Sequence, residues 1–112
     1  MNNGNFILKT DSYKPSHWKQ YPAETKQVYS FFESRGGEFD EILFFGLQYI
    51  LKSHFEGVQI TKEKIEEAKE LFALHFGTNE IMNEAGWKHI MHKHGGRLPL
   101  RIRAVPEGMC TP

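Results

Sequence analysis

The chain has 112 residues, with 14 Lys and Arg against 14 Asp and Glu, 39% hydrophobic and 13% aromatic residues, which is the composition of one globular domain and not of a disordered or fibrous chain. No apolar run reaches the roughly 18 residues of a membrane span, the opening MNNGNFILKTD has no basic segment leading into an apolar one, and the single Cys110 excludes an internal disulfide framework, so a cytoplasmic protein with no membrane partner and an inert reduced thiol is expected. The zero net charge is unevenly spread: residues 56–84 carry three basic and seven acidic groups and residues 85–112 five and one, a positive C-terminal field suited to an anionic ligand or an acidic surface.

Phe6, Ile7 and Leu8 open the chain and stop at Thr10-Asp11-Ser12, three residues whose side chains can cap a helix. The spacing predicts a short helix over 12–20, with Pro15 in its first turn and its end before Pro22. Gln27 to Arg35 mixes β-branched and aromatic residues with polar ones and ends at Gly36-Gly37, the pattern of a strand and turn. Val28, Ser30 and Phe32 would share one face and Tyr29, Phe31 and Glu33 the other, so this strand should be covered on both sides.

From Asp40 to Phe55, Leu43, Leu47, Ile50, Leu51 and His54 recur at helical spacing, which predicts a helix over 40–55 ended by Gly57. Thr61 should cap a second helix over 61–76, with Ile65, Ala68, Phe72 and Phe76 on its inner face and Gly77 at its end. Asn83 should cap a third over 83–94, holding Trp87, Ile90, Met91 and His94 at i, i+3, i+4 and i+7, with Gly95 after it. Leu98 to Val105 alternates apolar and basic residues and predicts a strand that pairs with 27–35 in one small sheet. Arg101 and Arg103 would share a face of that strand, but no interleaved aromatic set accompanies them, so a nucleic-acid partner is not expected. The fold class is α+β, three main helices and a small sheet. These elements are too few to bury every apolar face, so the chain reads as part of a larger protein, with Trp18, Phe44, Phe45 and Trp87 left in an exposed apolar patch.

The residues alone offer only weak chemistry. His89, His92 and His94 lie close on one helix, yet no carboxylate or cysteine completes a metal set, and a half-exposed helix face explains them. Arg35-Gly36-Gly37 and Gly95-Gly96-Arg97 combine glycine backbone with a guanidinium, as phosphate sites do, but neither matches a phosphate-loop motif and both read as turns. In Thr10-Asp11-Ser12-Tyr13-Lys14, capping accounts for the first three residues. It leaves Tyr13 and Lys14 over, and an aromatic beside a carboxylate is what recognition of a planar polar ring uses.

The segments TDSYKPSHWKQYP (10–22), VYSFFESR (28–35), ILFFGLQYIL (42–51), ITKEKIEEAKELFALHF (60–76) and GWKHIMHKHGGRLPLRIRAVPEG (86–108) resemble, in order and spacing, the N-terminal region of the nicotinamide phosphoribosyltransferase family. The resemblance covers nearly the whole chain, residues 1–112 standing as one N-terminal domain. It implies a homodimeric type II phosphoribosyltransferase whose α/β barrel is absent from this chain and whose sites lie at the subunit interface. The implied reaction makes nicotinamide mononucleotide and pyrophosphate from nicotinamide and phosphoribosyl pyrophosphate with Mg²⁺, in NAD salvage. The resemblance puts Tyr13 on the pyridine ring of the neighbouring subunit's site, Asp11 at the nicotinamide end, and Arg35 near the phosphates. Pro15 and the short loop after Gly37 depart from the family's pattern. The catalytic residues belong to the part not present, so the 112 residues alone should be inactive. A related nicotinate phosphoribosyltransferase and a non-catalytic dimerisation or binding module of the same fold are the alternatives.

Overall fold

The computed structural model describes residues 4–112. In chain order it contains a 3₁₀ turn Phe6–Leu8, a second at His17–Gln20, strand β1 (Ile42–Leu43), helix α1 (Leu47–Ile50) continuing as a π-turn Leu51–Phe55, helix α2 (Lys62–Phe76), helix α3 (Glu84–Lys93) and strand β2 (Cys110–Thr111). This is a small α+β unit, and no barrel is present among the described residues. None of its helices is long and apolar enough to cross a membrane.

The two long helices form where local chemistry specifies both ends. Thr61 Oγ1 accepts from Lys64 N at 3.2 Å, Asn83 Oδ1 accepts from Gly86 N at 3.0 Å, and Gly77 and Gly95 take positive φ just beyond the C-termini, where a β-carbon would be strained. Ile65, Ala68 and Phe72 of α2 meet Met82, Ile60 and Ile7 in the fully buried core, and Trp87, Ile90, Met91 and Leu98 pack against it. Glu84 at the start of α3 joins the helices, its Oε1 lying 3.3 Å from Lys69 Nζ of α2 and 2.9 Å from Lys88 Nζ one turn on. These two ammonium groups, Lys88 foremost, hold the Glu84 carboxyl below its usual range. The buried Asn5 ties the N-terminus down by donating from Nδ2 to Lys64 O at 2.6 Å and accepting from Ile7 N at 3.1 Å, which satisfies a polar group that would otherwise be costly to bury.

The other predicted elements are corrected. Residues 12–20 form successive turns, with Lys14 N donating to Asp11 O and His17 N to Lys14 O, because Pro15 has no N–H and disfavours helical backbone at Lys14. The 3₁₀ turn that follows has Ser16 at its N-cap with no side-chain cap bond, so Thr10, Asp11 and Ser12 do not cap a helix. The helix expected from Asp40 starts only at Leu47, since Gly46 stands at φ 100° and Ile42 and Leu43 are drawn into antiparallel pairing with Thr111 and Cys110. The sheet expected between 27–35 and 98–105 is absent: the described residues hold one two-stranded sheet, β1 with β2, and neither predicted strand pairs with another, the backbone of 98–105 closing instead a tight turn from Leu100 N to Leu98 O at 2.9 Å. Trp18 and Phe45 are exposed as expected, whereas Phe44 and Trp87 are half-buried. Tyr29, Phe31 and Phe32 are more exposed than Trp18, the last of them fully.

Candidate functional site

The segment from Thr10 to Tyr21 lies across the core as a string of turns. Trp18 anchors it, donating from Nε1 to Ile81 O at 2.8 Å, a long-range bond that fixes the backbone carrying Asp11 and Tyr13. Tyr13 is 64% exposed, so it is not a core filler. Its ring meets His17 edge-on at 5.5 Å, and the Lys14 ammonium lies 5.7 Å from its centroid, in range of a weak cation–π attraction. Lys14 Nζ also sits 3.3 Å from Asp11 Oδ2. Asp11, Tyr13 and Lys14 thus form one exposed cluster of carboxylate, phenol and ammonium within a single turn, an arrangement able to stack on a planar ring and hydrogen-bond its polar edge.

Arg35 is not brought to that cluster. It lies in an exposed irregular segment, and among the described residues no hydrogen bond or ion pair engages its guanidinium. The histidines of α3 do not converge: His89 and His94 stack edge-on at 5.9 Å, and no group of three His, Cys, Asp or Glu able to hold a metal occurs among the described residues. Cys110 is a free, exposed thiol in β2.

A groove of about 450 Å³ runs behind the turns, walled by Lys9, Thr10, Lys14, Pro15, Trp18 and Trp87 over Phe72 and Met82. None of Asp11, Tyr13 and Arg35 lines it, so the candidate site is the outer face of the segment and not this groove. Lys9 at its rim is engaged with His54 Nδ1 at 2.9 Å.

Sequence reasoning missed Glu107. Its two carboxylate oxygens accept from Gly46 N and Gln48 N, each at 2.8 Å, while Gly108 N donates to Phe44 O at 2.7 Å and Phe44 N to Met109 O at 2.9 Å. The turn after Val105 therefore clamps the start of α1. The signal was in the sequence: Gly46 precedes the Leu47 helix with no side chain to cap it, so its orphan N–H groups need an acceptor from elsewhere. The backbone donors, Gln48 foremost and then Gly46, hold the Glu107 carboxyl below the ordinary value of 4.5. A carboxylate whose folded value is depressed stabilises the fold above its unfolded value, and that contribution is lost as pH falls through the lower folded value. Glu107→Gln should lower the thermal midpoint near neutral pH, and the gap to the unmodified chain should close as pH falls below the ordinary value of 4.5 and through the lower folded value, as thermal scans on either side of it will show.

Residues 5–102 match the family model described as nicotinamide phosphoribosyltransferase, N-terminal domain. A protein named nicotinamide phosphoribosyltransferase from Xanthomonas campestris pv. campestris is 51% identical over 108 residues, covering 96% of this chain and 22% of the relative. A second of the same name from Acinetobacter baylyi is 32% identical over 114 aligned positions, covering 88% of this chain and again 22% of the relative. The chain spans about a fifth of the length of these relatives, and by the extent of the match it belongs to the nicotinamide phosphoribosyltransferase family, as that family's N-terminal domain.

Proposed function

We propose that this chain is the N-terminal part of an enzyme that transfers the phosphoribosyl group of phosphoribosyl pyrophosphate to nicotinamide. The pyridine nitrogen forms a bond to ribose C1 as the bond from C1 to pyrophosphate breaks, giving the mononucleotide and free pyrophosphate. The observation that carries this reading is the 51% identity over 96% of the chain to a protein of that name. Little covalent chemistry is asked of the protein in such a substitution, and positioning together with electrostatics supplies most of the acceleration.

In this reading Tyr13 offers its exposed ring to the pyridine across a homodimer interface. Asp11 sits at the carboxamide end, where a carboxylate accepts from an amide N–H and repels the carboxylate of nicotinate. That contrast favours nicotinamide over the nicotinate alternative. Arg35 would reach the phosphates once its segment is held in place. The Mg²⁺ expected with phosphoribosyl pyrophosphate finds no ligand set of three or more His, Cys, Asp or Glu among the described residues, so its ligands are proposed to lie mainly in the rest of the enzyme. The 112 residues alone are proposed to be inactive, and the enzyme to work in the cytoplasm without nucleic-acid or membrane partners.

The test is a product assay on the full-length protein with phosphoribosyl pyrophosphate, Mg²⁺ and either base. Nicotinamide should be converted with at least about tenfold higher kcat/KM than nicotinate, a difference of about 1.4 kcal/mol in transition-state stabilisation. The reverse preference would support the nicotinate enzyme, and no product from either base would leave the non-catalytic module.

A further inference from the structure

Among the described residues, one hydrogen bond joins the stretch from Thr10 to Glu41 to the rest of the molecule, that of Trp18 Nε1 to Ile81 O at 2.8 Å. Its other bonds close within the stretch, among them Lys14 N to Asp11 O and His17 N to Lys14 O and the ion pair of Lys14 with Asp11. Before it, Asn5 is buried and donates to Lys64 O, and Lys9 Nζ lies 2.9 Å from His54 Nδ1. After it, the next fixed point is Ile42, paired with Thr111. Tyr13 therefore stands between two ties, Lys9 and Trp18. The second is made by a residue 39% exposed, whose N–H is not left to water but directed to the connection between α2 and α3, where Ile81 lies.

We infer that Trp18 is a positioning residue for the base: by tying the Tyr13 segment to the α2–α3 connection, its indole N–H holds the Tyr13 ring where nicotinamide meets it. The inference rests on the proposed stacking role of Tyr13. Without the tie, the free span that carries Tyr13 grows from about ten residues, Lys9 to Trp18, to about thirty, Lys9 to Ile42, and loop-closure entropy makes a given placement of its middle up to roughly sixfold rarer. A net hydrogen bond shifts such an equilibrium by roughly 2- to 12-fold, the same range. A binding surface in place only part of the time weakens apparent affinity by that fraction and leaves the rate at saturation unchanged. The fold itself does not depend on the bond. Ile81 is half-buried, so water can replace the indole at its carbonyl, while α2 and α3 keep their own caps and core.

Steady-state kinetics on the full-length protein test this with two replacements: Trp18→Phe, which keeps a ring and removes the donor, and Trp18→3-benzothienylalanine, in which sulfur stands in place of the N–H and the shape is kept. Each should raise the KM for nicotinamide about 3- to 6-fold, with kcat, the KM for phosphoribosyl pyrophosphate and the thermal midpoint little changed. In a Tyr13→Ala background the same replacements should change the KM for nicotinamide less than about twofold, since no ring is left to position. An unchanged KM in both variants overturns the inference, as does a loss confined to kcat and the thermal midpoint, or the same factor with and without Tyr13. Tyr13→Ala raising the KM while neither Trp18 variant does would refute the tie alone, whereas a KM indifferent to Tyr13→Ala would refute the stacking role and the inference with it.

Discussion

Gly96→Ala is expected to cost about 2–5 kcal/mol of folding stability, the sum of roughly 1–2 for a left-handed non-glycine residue and 1–3 for overpacking. Gly96 is buried and stands at φ 79°. A β-carbon there would collide with the Ile60 carbonyl, which is backbone and cannot step aside, and would come within 2.9 Å of Val58 Cγ1. The same residue is a junction of the fold: its carbonyl accepts from Gln59 N and Ile60 N, both at 2.9 Å, and its N–H donates to Ile90 O at 3.1 Å. Displacing it therefore disturbs the end of α3 and the entry to α2 together, directly beside the buried Ile60. Gly95→Ala is the control. Gly95 also has positive φ, 61°, but nothing lies within 4 Å of its would-be β-carbon, so only the backbone cost of about 1–2 kcal/mol applies. Urea denaturation of the two variants beside the parent checks the difference, and equal losses would show that the close approach to Ile60 is not what requires glycine.

The second large effect concerns substrate. Tyr13→Ala in the full-length protein should raise the KM for nicotinamide roughly 5- to 150-fold, the equivalent of about 1–3 kcal/mol for one ring stacked on an aromatic side chain. Tyr13→Phe should keep most of the activity, because the π-face survives and no bond of the phenol hydroxyl is invoked. The KM for phosphoribosyl pyrophosphate should move less. Tyr13 is mostly exposed and touches only His17 and Lys14 through its ring, so folding stability should change little in either variant. A fall in thermal midpoint that accounts for the lost activity would return Tyr13 to a structural role. Steady-state kinetics with each substrate varied in turn separates these outcomes.

What could be read in the sequence follows the range of the interactions involved. Helices α2 and α3 were legible because their caps, Thr61, Gly77, Asn83 and Gly95, and their apolar faces lie within the segments themselves. The helix expected over 40–55 was drawn too long because its apolar stripe runs unbroken through Gly46, while the competing interaction, pairing with Cys110 and Thr111, lies more than sixty residues away. The alternation at 27–35 and 98–105 reads as strand, but a pattern of alternation carries no information about where a partner strand comes from, and among the described residues neither segment has one. The candidate site was legible in a different way. Local chemistry accounts equally well for Asp11 as a helix cap, and only the resemblance of the whole TDSYK segment to a family gave Tyr13 a role. The structure adds that Asp11 caps no helix and pairs with Lys14, and that Tyr13 is open to a partner. Glu107 escaped because a carboxylate in a turn has no sequence mark of the helix it caps some sixty residues earlier.

The central claim is that Tyr13 serves a nicotinamide site completed by a neighbouring subunit, and hybrid dimers test it most directly. Full-length Tyr13→Ala protein is mixed with a full-length variant inactivated by a substitution beyond residue 112, hybrid formation is verified by native mass spectrometry, and mononucleotide production is measured at nicotinamide concentrations below the KM of the Tyr13→Ala protein. The account predicts that activity rises above that of either parent, because one of the two interface sites in each hybrid receives an intact Tyr13 and an intact remainder of the site. Verified hybrids with no more activity than their parents would contradict it, placing Tyr13 within its own subunit's site or outside the site altogether.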